Sequence, residues 1–595
     1  MKTPHRLFDC LDTMMERAAD QPLLAGKERG SWRTWSVREV NEQVNRLATG
    51  LMALGLGGND MSVEGRDKVA ILAKNRPEWV ILDLAVQKCG AVLVPVYPTV
   101  HVNDLAFVLN DAQVKLVIVN DDDMLQKVNT VRPQCPSVTA VYSFEPISGA
   151  PIWTDLLRDA DAAASAQLDA VAARIDTEDL FTIIYTSGTT GTPKGVMLSH
   201  HNVLSNVLAT QALLPVRPGS KVLSFLPLNH IFERTVTFIY LFAGVTIYYA
   251  ESLDTLGDNL KEVKPEMFTT VPRLLEKVYE KILAKAQELT GVKKKLFFWA
   301  LKLGERYDVK EPGSAWYRFQ LRIANKLIFS KWREGLGNNL RAIVTGAAAC
   351  PARLIRIFTA GGIPIMEGYG QTESSPVISV NRIEPENRRF GTVGPVIDGV
   401  TVKIAEDGEV LCKGPNVMMG YYKRPDLTEE VVKDGWLFTG DIGELTEGKF
   451  LKITDRKKEI FKTSGGKFVA PLPIETRMVE SPFIEQIMVV GDGQKFTAAL
   501  VVPNFARLQQ WCGEQAIGDT DREALCRNPK VQDFLQQQVD AYNAYFGNWE
   551  RVKKIALLPR EWSIEGGELT PKLSLKRKAI MAKYADAVSR IYEGT

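Results

Sequence analysis

A chain of 595 residues is too long for one hydrophobic core, and 45% hydrophobic with 24% charged residues is ordinary globular composition, so two or more domains follow. A net charge of +2 gives no global reason to expect nucleic acid or a strongly acidic partner. The seven cysteines are scattered, with no Cys-x-x-Cys, which argues against a disulfide framework and predicts reduced, structural thiols of a cytosolic protein. At the N-terminus Asp9, Asp12, Glu16 and Asp20 stand where an export signal needs an apolar core, so no export signal and a cytoplasmic place are expected.

Short apolar runs at 69–72, 91–96, 114–119, 180–185, 222–226, 245–249 and 341–344 alternate with helix-like segments, one beginning near Pro77. This alternation predicts parallel α/β layers. Residues 185–195 read Tyr-Thr-Ser-Gly-Thr-Thr-Gly-Thr-Pro-Lys-Gly. Glycines bring backbone N–H groups close to anionic oxygens, hydroxyls add donors, and Lys194 adds a mobile positive charge, so the segment suits a polyphosphate. It is not the nucleotide-hydrolase loop, which ends Gly-Lys-Ser/Thr; here Pro193 precedes the lysine and Gly195 follows it. The adjacent His200 and His201 lack the spacing of a shared metal site, and no zinc is expected.

The longest uncharged stretch, 235–250, is sixteen residues with Gly244 inside it, shorter than the about 20 a membrane-spanning helix needs. A buried helix and strand are predicted instead. Between residues 281 and 341 fourteen Lys/Arg meet five Asp/Glu, so this insert carries +9 and the rest of the chain −7. Trp316, Phe319, Ile323 and Leu327 recur at helical spacing with Arg318, Arg322 and Lys326 on another side. A basic amphipathic helix of this kind can lie in an anionic membrane interface; the alternative is a surface helix whose aromatics face the core. Nucleic acid ranks third.

Gly346-Ala347-Ala348-Ala349 follows a strand, and its small side chains would let a flat base slide against the backbone. Residues 368–373, Gly-Tyr-Gly-Gln-Thr-Glu, combine an aromatic for stacking, a hydroxyl for phosphate and a carboxylate able to hold Mg²⁺. Thr439-Gly440-Asp441 offers a carboxylate for ribose hydroxyls, although singly such a tripeptide is usually a turn. After Gly440 the texture becomes strand-rich and turn-rich, and the charged run 455–459 marks a domain boundary, or otherwise an exposed turn. The expected division is 1–454 and 455–595. No internal repeat is evident.

Taken in this order and spacing, the segments resemble the adenylate-forming (AMP-binding) superfamily of acyl-CoA synthetases, luciferases and peptide-synthetase adenylation domains. The residues 225–234, Phe-Leu-Pro-Leu-Asn-His-Ile-Phe-Glu-Arg, and 271–277, Val-Pro-Arg-Leu-Leu-Glu-Lys, are similar to its long-chain fatty acyl-CoA synthetase branch. The resemblance implies an α/β fold with a large N-terminal domain of layered subdomains and a small mobile C-terminal α+β domain that swings about Asp455. It implies that Thr186, Ser187, Gly188, Thr189, Thr190, Gly191 and Lys194 grip the phosphates of ATP. Gly346, Ala347, Ala348, Tyr369 and Gly370 would hold the adenine side, Thr372 the α-phosphate, Glu373 the Mg²⁺, and Asp441 with Arg456 the ribose. His230 would stand near the acyl carboxylate, unless it is a satisfied structural histidine.

The implied reaction is activation of a long-chain fatty acid: its carboxylate attacks the α-phosphorus of ATP, pyrophosphate leaves, and the thiol of CoA displaces AMP. The rivals are delivery of the acyl group to a carrier-protein phosphopantetheine and a non-catalytic nucleotide-responsive membrane protein. The chain departs from the branch at its C-terminal lysine, where residues 569–577, Leu-Thr-Pro-Lys-Leu-Ser-Leu-Lys-Arg, place Ser574. A hydroxyl cannot replace an ammonium ion. Lys572 and Lys576 share its strand face, and Lys572 is the favoured substitute.

Overall fold

The computed structural model describes residues 4–159, 161–187, 192–311, 313–519, 521–570 and 574–593. Among these, two large, mainly parallel sheets lie at the centre. The first runs Val377–Val380, Ile365–Gly370, Ala342–Thr345, Met267–Thr270, Lys221–Ser224, Thr246–Tyr249, Pro22–Glu28 and Ser31–Ser36. The second runs Gly420–Tyr421, Pro193–Ser199, Leu180–Ser187, Val92–Pro95, Lys68–Leu72, Val114–Val119 and Ala140–Ser143. The strands of their interiors are buried end to end, Lys68–Leu72 and Ala342–Thr345 among them, as expected where helices cover both faces of a parallel sheet.

The crossover helices explain the uncharged stretch. Helix Ile231–Ala243 is apolar nearly all round because it is packed on several sides, and Gly244, at φ +67°, ends it in the left-handed conformation before strand Thr246–Tyr249. Helix Pro77–Lys88 is buried in the same way. One fully buried ion pair locks the two helices together. Arg234 donates from Nε to Asp83 Oδ2 at 2.8 Å and from Nη1 to Thr182 Oγ1 at 2.7 Å, so it also reaches the second sheet. Glu233 beside it accepts from Ser224 Oγ at 2.6 Å, and burial lifts its pKa to about 7. Two of the ten residues in 225–234 are thus structural.

A third sheet, antiparallel, runs Gly394–Pro395, Phe450–Arg456, Trp436–Thr446, Glu409–Lys413 and Thr401–Ile404. The change of texture therefore comes earlier than the sequence reading placed it, because these strands mix polar with apolar residues and give no long apolar run. The C-terminal domain has its own sheet, Ile484–Val490, Ala498–Pro503 and Lys554–Leu557, with separate hydrophobic clusters against helices such as Phe505–Glu514 and Pro529–Asn543. The strand Phe450–Arg456 leads into it. Near the strand's end Asp455 is fully buried, accepts from the backbone N–H of Arg456 and of Leu472, and is pushed by burial to about 6. All seven cysteines are buried and unbridged. Among the described residues no helix is long and apolar enough to cross a membrane.

The basic insert divides its aromatics. Phe297, Tyr317, Phe329 and Trp332 are core, and the Tyr317 hydroxyl donates to Leu303 O at 2.8 Å. Trp316, Phe319 and Leu327 are 65%, 50% and 50% exposed, with the first two rings stacked 5.6 Å apart. The helix expected through 327 is interrupted: Ala315–Ala324 passes into a wider turn at Asn325–Phe329 before Ser330–Gly335.

Candidate functional site

Strands Leu180–Ser187 and Pro193–Ser199 form a hairpin in which Thr186 is opposite Lys194 and Ser187 opposite Pro193. Gly188, Thr189, Thr190 and Gly191 lie outside the described residues, but the hairpin fixes both ends of the loop. Its mouth opens on a cavity of about 1880 Å³ to which Thr186, Lys194, His230, Glu373, Thr439 and Arg456 all contribute. The site therefore draws on all three large sheets.

Gly346, Ala347 and Ala348 follow strand Ala342–Thr345 and line the cavity, Ala347 in the left-handed region at φ +67°. Opposite them, Tyr369 and Gly370 end strand Ile365–Gly370 and Thr372 opens a short turn. A side chain at position 370 would meet Pro376 O, so glycine is needed for the strands to close here.

Asp441 is buried and receives three donors: Tyr369 Oη at 2.7 Å, Gln371 Nε2 at 2.5 Å and, across the strand pair, Arg456 Nε at 3.0 Å. Burial raises its pKa, while Arg456 and the two hydrogen bonds pull it the other way. Gln371, which sequence reasoning passed over, also donates to Thr439 O at 2.8 Å. The carboxylate is thereby held from three sides, beside the cavity wall formed by Tyr369, Gln371, Thr439 and Arg456.

His230 caps helix Ile231–Ala243: its Nδ1 accepts the Phe232 N–H at 3.1 Å, so the neutral ring carries its hydrogen on Nε2. From the same helix Phe232, Val236 and Ile239, at i, i+4 and i+7, present one face to the cavity, joined by Leu213 and Leu214. This gives the cavity an apolar arm beside the polar one lined by Lys194, Glu373, Thr439 and Arg456.

Glu373 lines the polar arm, and one of its oxygens accepts from Tyr421 Oη at 2.9 Å. Lys194 Nζ sits 5.1 Å from the centroid of the same Tyr421 ring. In the sequence Tyr421 is one of two adjacent tyrosines and reads as core; only the fold brings it to the site. A carboxylate that lines the cavity near Lys194 suits Mg²⁺, a hard ion that takes few protein ligands and completes its shell with phosphate and water. Among the described residues no group of three or more His, Cys, Asp or Glu could enclose an ion.

The C-terminal domain closes one side of the cavity with Thr570, Ser574, Lys576 and Arg577. Ser574 N donates to Thr570 Oγ1 at 3.2 Å, and Lys576 N donates to Glu568 O at 2.8 Å. Lys572 lies outside the described residues.

Comparison with known proteins agrees with this geometry. Residues 11–422 match the AMP-binding enzyme family and residues 458–595 the AMP-binding enzyme C-terminal domain. The long-chain-fatty-acid–CoA ligase FadD15 of Mycobacterium tuberculosis is 33% identical over 577 residues, covering 95% of this chain and 93% of the relative. The long-chain-fatty-acid–CoA ligase 6 of Mus musculus is 32% identical over 595 residues, covering 94% and 82%. A carboxylate reductase adenylation domain from Mycobacterium chelonae shares the fold, with TM-score 0.76 at 21% identity over 99% of this chain and 92% of that one. A fatty acyl CoA synthetase of Mycobacterium tuberculosis does so at 0.61, 21%, 98% and 98%. With residues 11–422 and 458–595 both matched, the chain belongs to the AMP-binding enzyme family.

Proposed function

We propose that this protein activates long-chain fatty acids to acyl-CoA through an acyl adenylate, releasing pyrophosphate and then AMP. The observation that carries the reading is the joining of an apolar arm and a polar arm in one cavity, with His230 on the apolar side and Lys194 on the polar one. Its relatives at 32–33% identity over nearly the whole chain are long-chain-fatty-acid–CoA ligases.

The chemistry follows from charge. A carboxylate reaches the α-phosphorus of ATP only if charge building on the phosphates is neutralised, which Lys194 and the loop N–H groups do electrostatically. Thr372 contacts the α-phosphate, Asp441 and Arg456 hold the ribose hydroxyls, and Gly346, Ala347, Ala348 and Tyr369 enclose the adenine. His230 offers Nε2–H to the acyl carboxylate. Mg²⁺ at Glu373 supplies further neutralisation of the phosphates when bound. The thiol of CoA then displaces AMP. The division at 454/455 and rotation of the small domain about Asp455 let one cavity serve both half-reactions.

Ser574 leaves the first half-reaction without the branch lysine. Lys572 is its substitute in this reading; Lys572→Ala then depresses adenylate formation and spares thioester formation from supplied acyl-AMP, with Lys576→Ala milder. The reverse ranking moves the role to Lys576.

The protein works in the cytoplasm and rests peripherally on anionic membrane. The support is the insert's charge of +9 beside exposed Trp316, Phe319 and Leu327. Three of the insert's five acids are spent on Arg353, Arg356 and Lys331, which leaves most of its basic charge uncompensated.

Pyrophosphate release measured across carboxylates of graded chain length, with and without CoA, tests the main reading. Release that rises with chain length and turns over only with free CoA is expected. Release independent of any fatty acid, or turnover only with a carrier protein, overturns it.

A further inference from the structure

Tyr421 lies where three elements of the polar arm meet, and no role in the reaction outlined above uses it. Its two-residue strand, Gly420–Tyr421, pairs antiparallel with the strand leaving the phosphate loop, Gly420 opposite Met197 and Tyr421 opposite Val196. Tyr422 N donates to Gly195 O at 2.7 Å and Met419 N to Met197 O at 3.0 Å, so the strand is sewn to the residues next to Lys194. On the other side Met418 N donates to Glu373 O at 2.9 Å, and Asn416 Nδ2 donates to Ser374 O at 3.2 Å. Tyr421 N itself donates to Thr428 Oγ1 at 2.8 Å. At Gly420, with φ +137°, an added Cβ would stand 3.0 Å from Thr428, so the backbone comes this close only without a side chain.

The ring held by this clamp is 7% exposed, lines the cavity, and contacts both Glu373 and Lys194. Its hydroxyl reaches Glu373 Oε1 at 2.9 Å, and its face lies 5.1 Å from Lys194 Nζ. A phenol suits this double task because its edge donates to a carboxylate while its face attracts a cation.

We propose that Tyr421 is a positioning residue that sets Glu373 for the divalent cation and parks Lys194 at the phosphate end of the cavity. It does no proton chemistry. By engaging one carboxylate oxygen it fixes the plane of the group and leaves the other oxygen for the ion. By giving Lys194 an aromatic seat it keeps a long, flexible side chain on the phosphate side before nucleotide arrives, so less rotamer freedom is lost on binding. The proposal rests on the assignment of this arm to ATP and Mg²⁺.

Two substitutions separate the hydroxyl from the ring. Tyr421→Phe keeps the ring, and Tyr421→Leu removes both. The full-length chain is titrated with a fluorescent ATP analogue in EDTA and again across Mg²⁺ concentrations, and thermal unfolding midpoints are recorded alongside. Tyr421→Phe should bind the metal-free nucleotide within about twofold of wild type and need about tenfold more Mg²⁺ for half-saturation, the size expected for losing a hydrogen bond to a charged group. Tyr421→Leu should add a weakening of about threefold in metal-free affinity, the size of an exposed cation–π contact. In a Glu373→Gln background, Tyr421→Phe should change the Mg²⁺ dependence no further. Unchanged Mg²⁺ dependence in Tyr421→Phe overturns the proposal, as does equal weakening with and without metal together with a lowered unfolding midpoint, which would make the tyrosine a packing residue. Failure of the wild-type chain to bind the nucleotide at all overturns the assignment of the arm instead.

Discussion

Glu367 shows how a buried carboxyl sets the pH response of this protein. It is buried in strand Ile365–Gly370, accepts a hydrogen bond from Cys350 N at 2.8 Å, and is pushed by burial up to about 8. Because its pKa in the fold is raised, the stability tied to its protonated form is complete below the ordinary carboxyl value and is lost as pH rises through about 8. Glu367→Gln keeps an acceptor for Cys350 and removes the ionisation. Wild type should therefore lose stability between pH 5 and pH 9, on the order of a few kcal/mol at about 1.4 per pKa unit, and the variant should show a flatter curve in urea unfolding. At Lys194 the expectation is different: Lys194→Ala should lower pyrophosphate release on the order of 10²–10³-fold with an unchanged unfolding midpoint. Near-wild-type release would remove the phosphate-gripping role. Motif and spacing pointed to Lys194, Glu373 and Asp441, since their neighbours in sequence are their neighbours in the cleft. Tyr421 and Gln371 were invisible for the opposite reason. Their partners, Glu373 and Asp441, lie 48 and 70 residues away, and only strand pairing supplies the contact.

Among the elements, those with one dominant signal were readable. Val69–Leu72 and Leu116–Val119 are continuous apolar runs because both faces are covered, and the helix at Pro77 begins with the proline that favours a first turn. The antiparallel sheet was not readable as such. Thr401–Ile404 alternates exposed and half-buried residues, and Gly394–Pro395 is too short for any period to register. The basic insert fell between the two: charge and spacing foretold an amphipathic surface, but which aromatics turn inward was decided by packing against helix Gly291–Glu305. That division gives a test. Trp316→Ser with Phe319→Ser should reduce co-sedimentation with anionic vesicles severalfold while leaving the fold intact, since both rings are already in water. Lys293, Lys294 and Lys295 changed to Glu should weaken it further and lower its salt sensitivity, at about 1 kcal/mol per basic residue near the surface. Equal, salt-insensitive binding by all variants would sink the membrane assignment.

At the scale of the whole molecule, one ion pair joins the first sheet's domain to the C-terminal sheet. Arg273, in the segment 271–277, lines the cavity and pairs both with Glu276 on its own helix and with Glu485 of the C-terminal sheet. Glu485 is held in turn by Asn504 Nδ2 at 2.9 Å. This pair favours the arrangement in which Ser574 and Lys576 face the cleft. Arg273→Ala and Glu485→Ala should each slow pyrophosphate release a few-fold, and the double variant should be no slower than the worse single one. Additive losses would mean that the two side chains act separately.

The strand Phe450–Arg456 serves both domains within two residues: Arg456 braces Asp441, the carboxylate that the proposed function assigns to the ribose, and Asp455, just before it, is tied to Leu472 of the C-terminal domain. Ligand affinity and domain orientation are then a single thermodynamic account read from two ends. Whatever free energy the sugar hydroxyls contribute through Asp441 and Arg456 is available to bias the joint, and by reciprocity a chain held in one orientation must bind the nucleotide with a correspondingly altered affinity. A dideoxy nucleotide is therefore a probe of the joint as well as of the pocket, since it withdraws the contacts through which the two communicate.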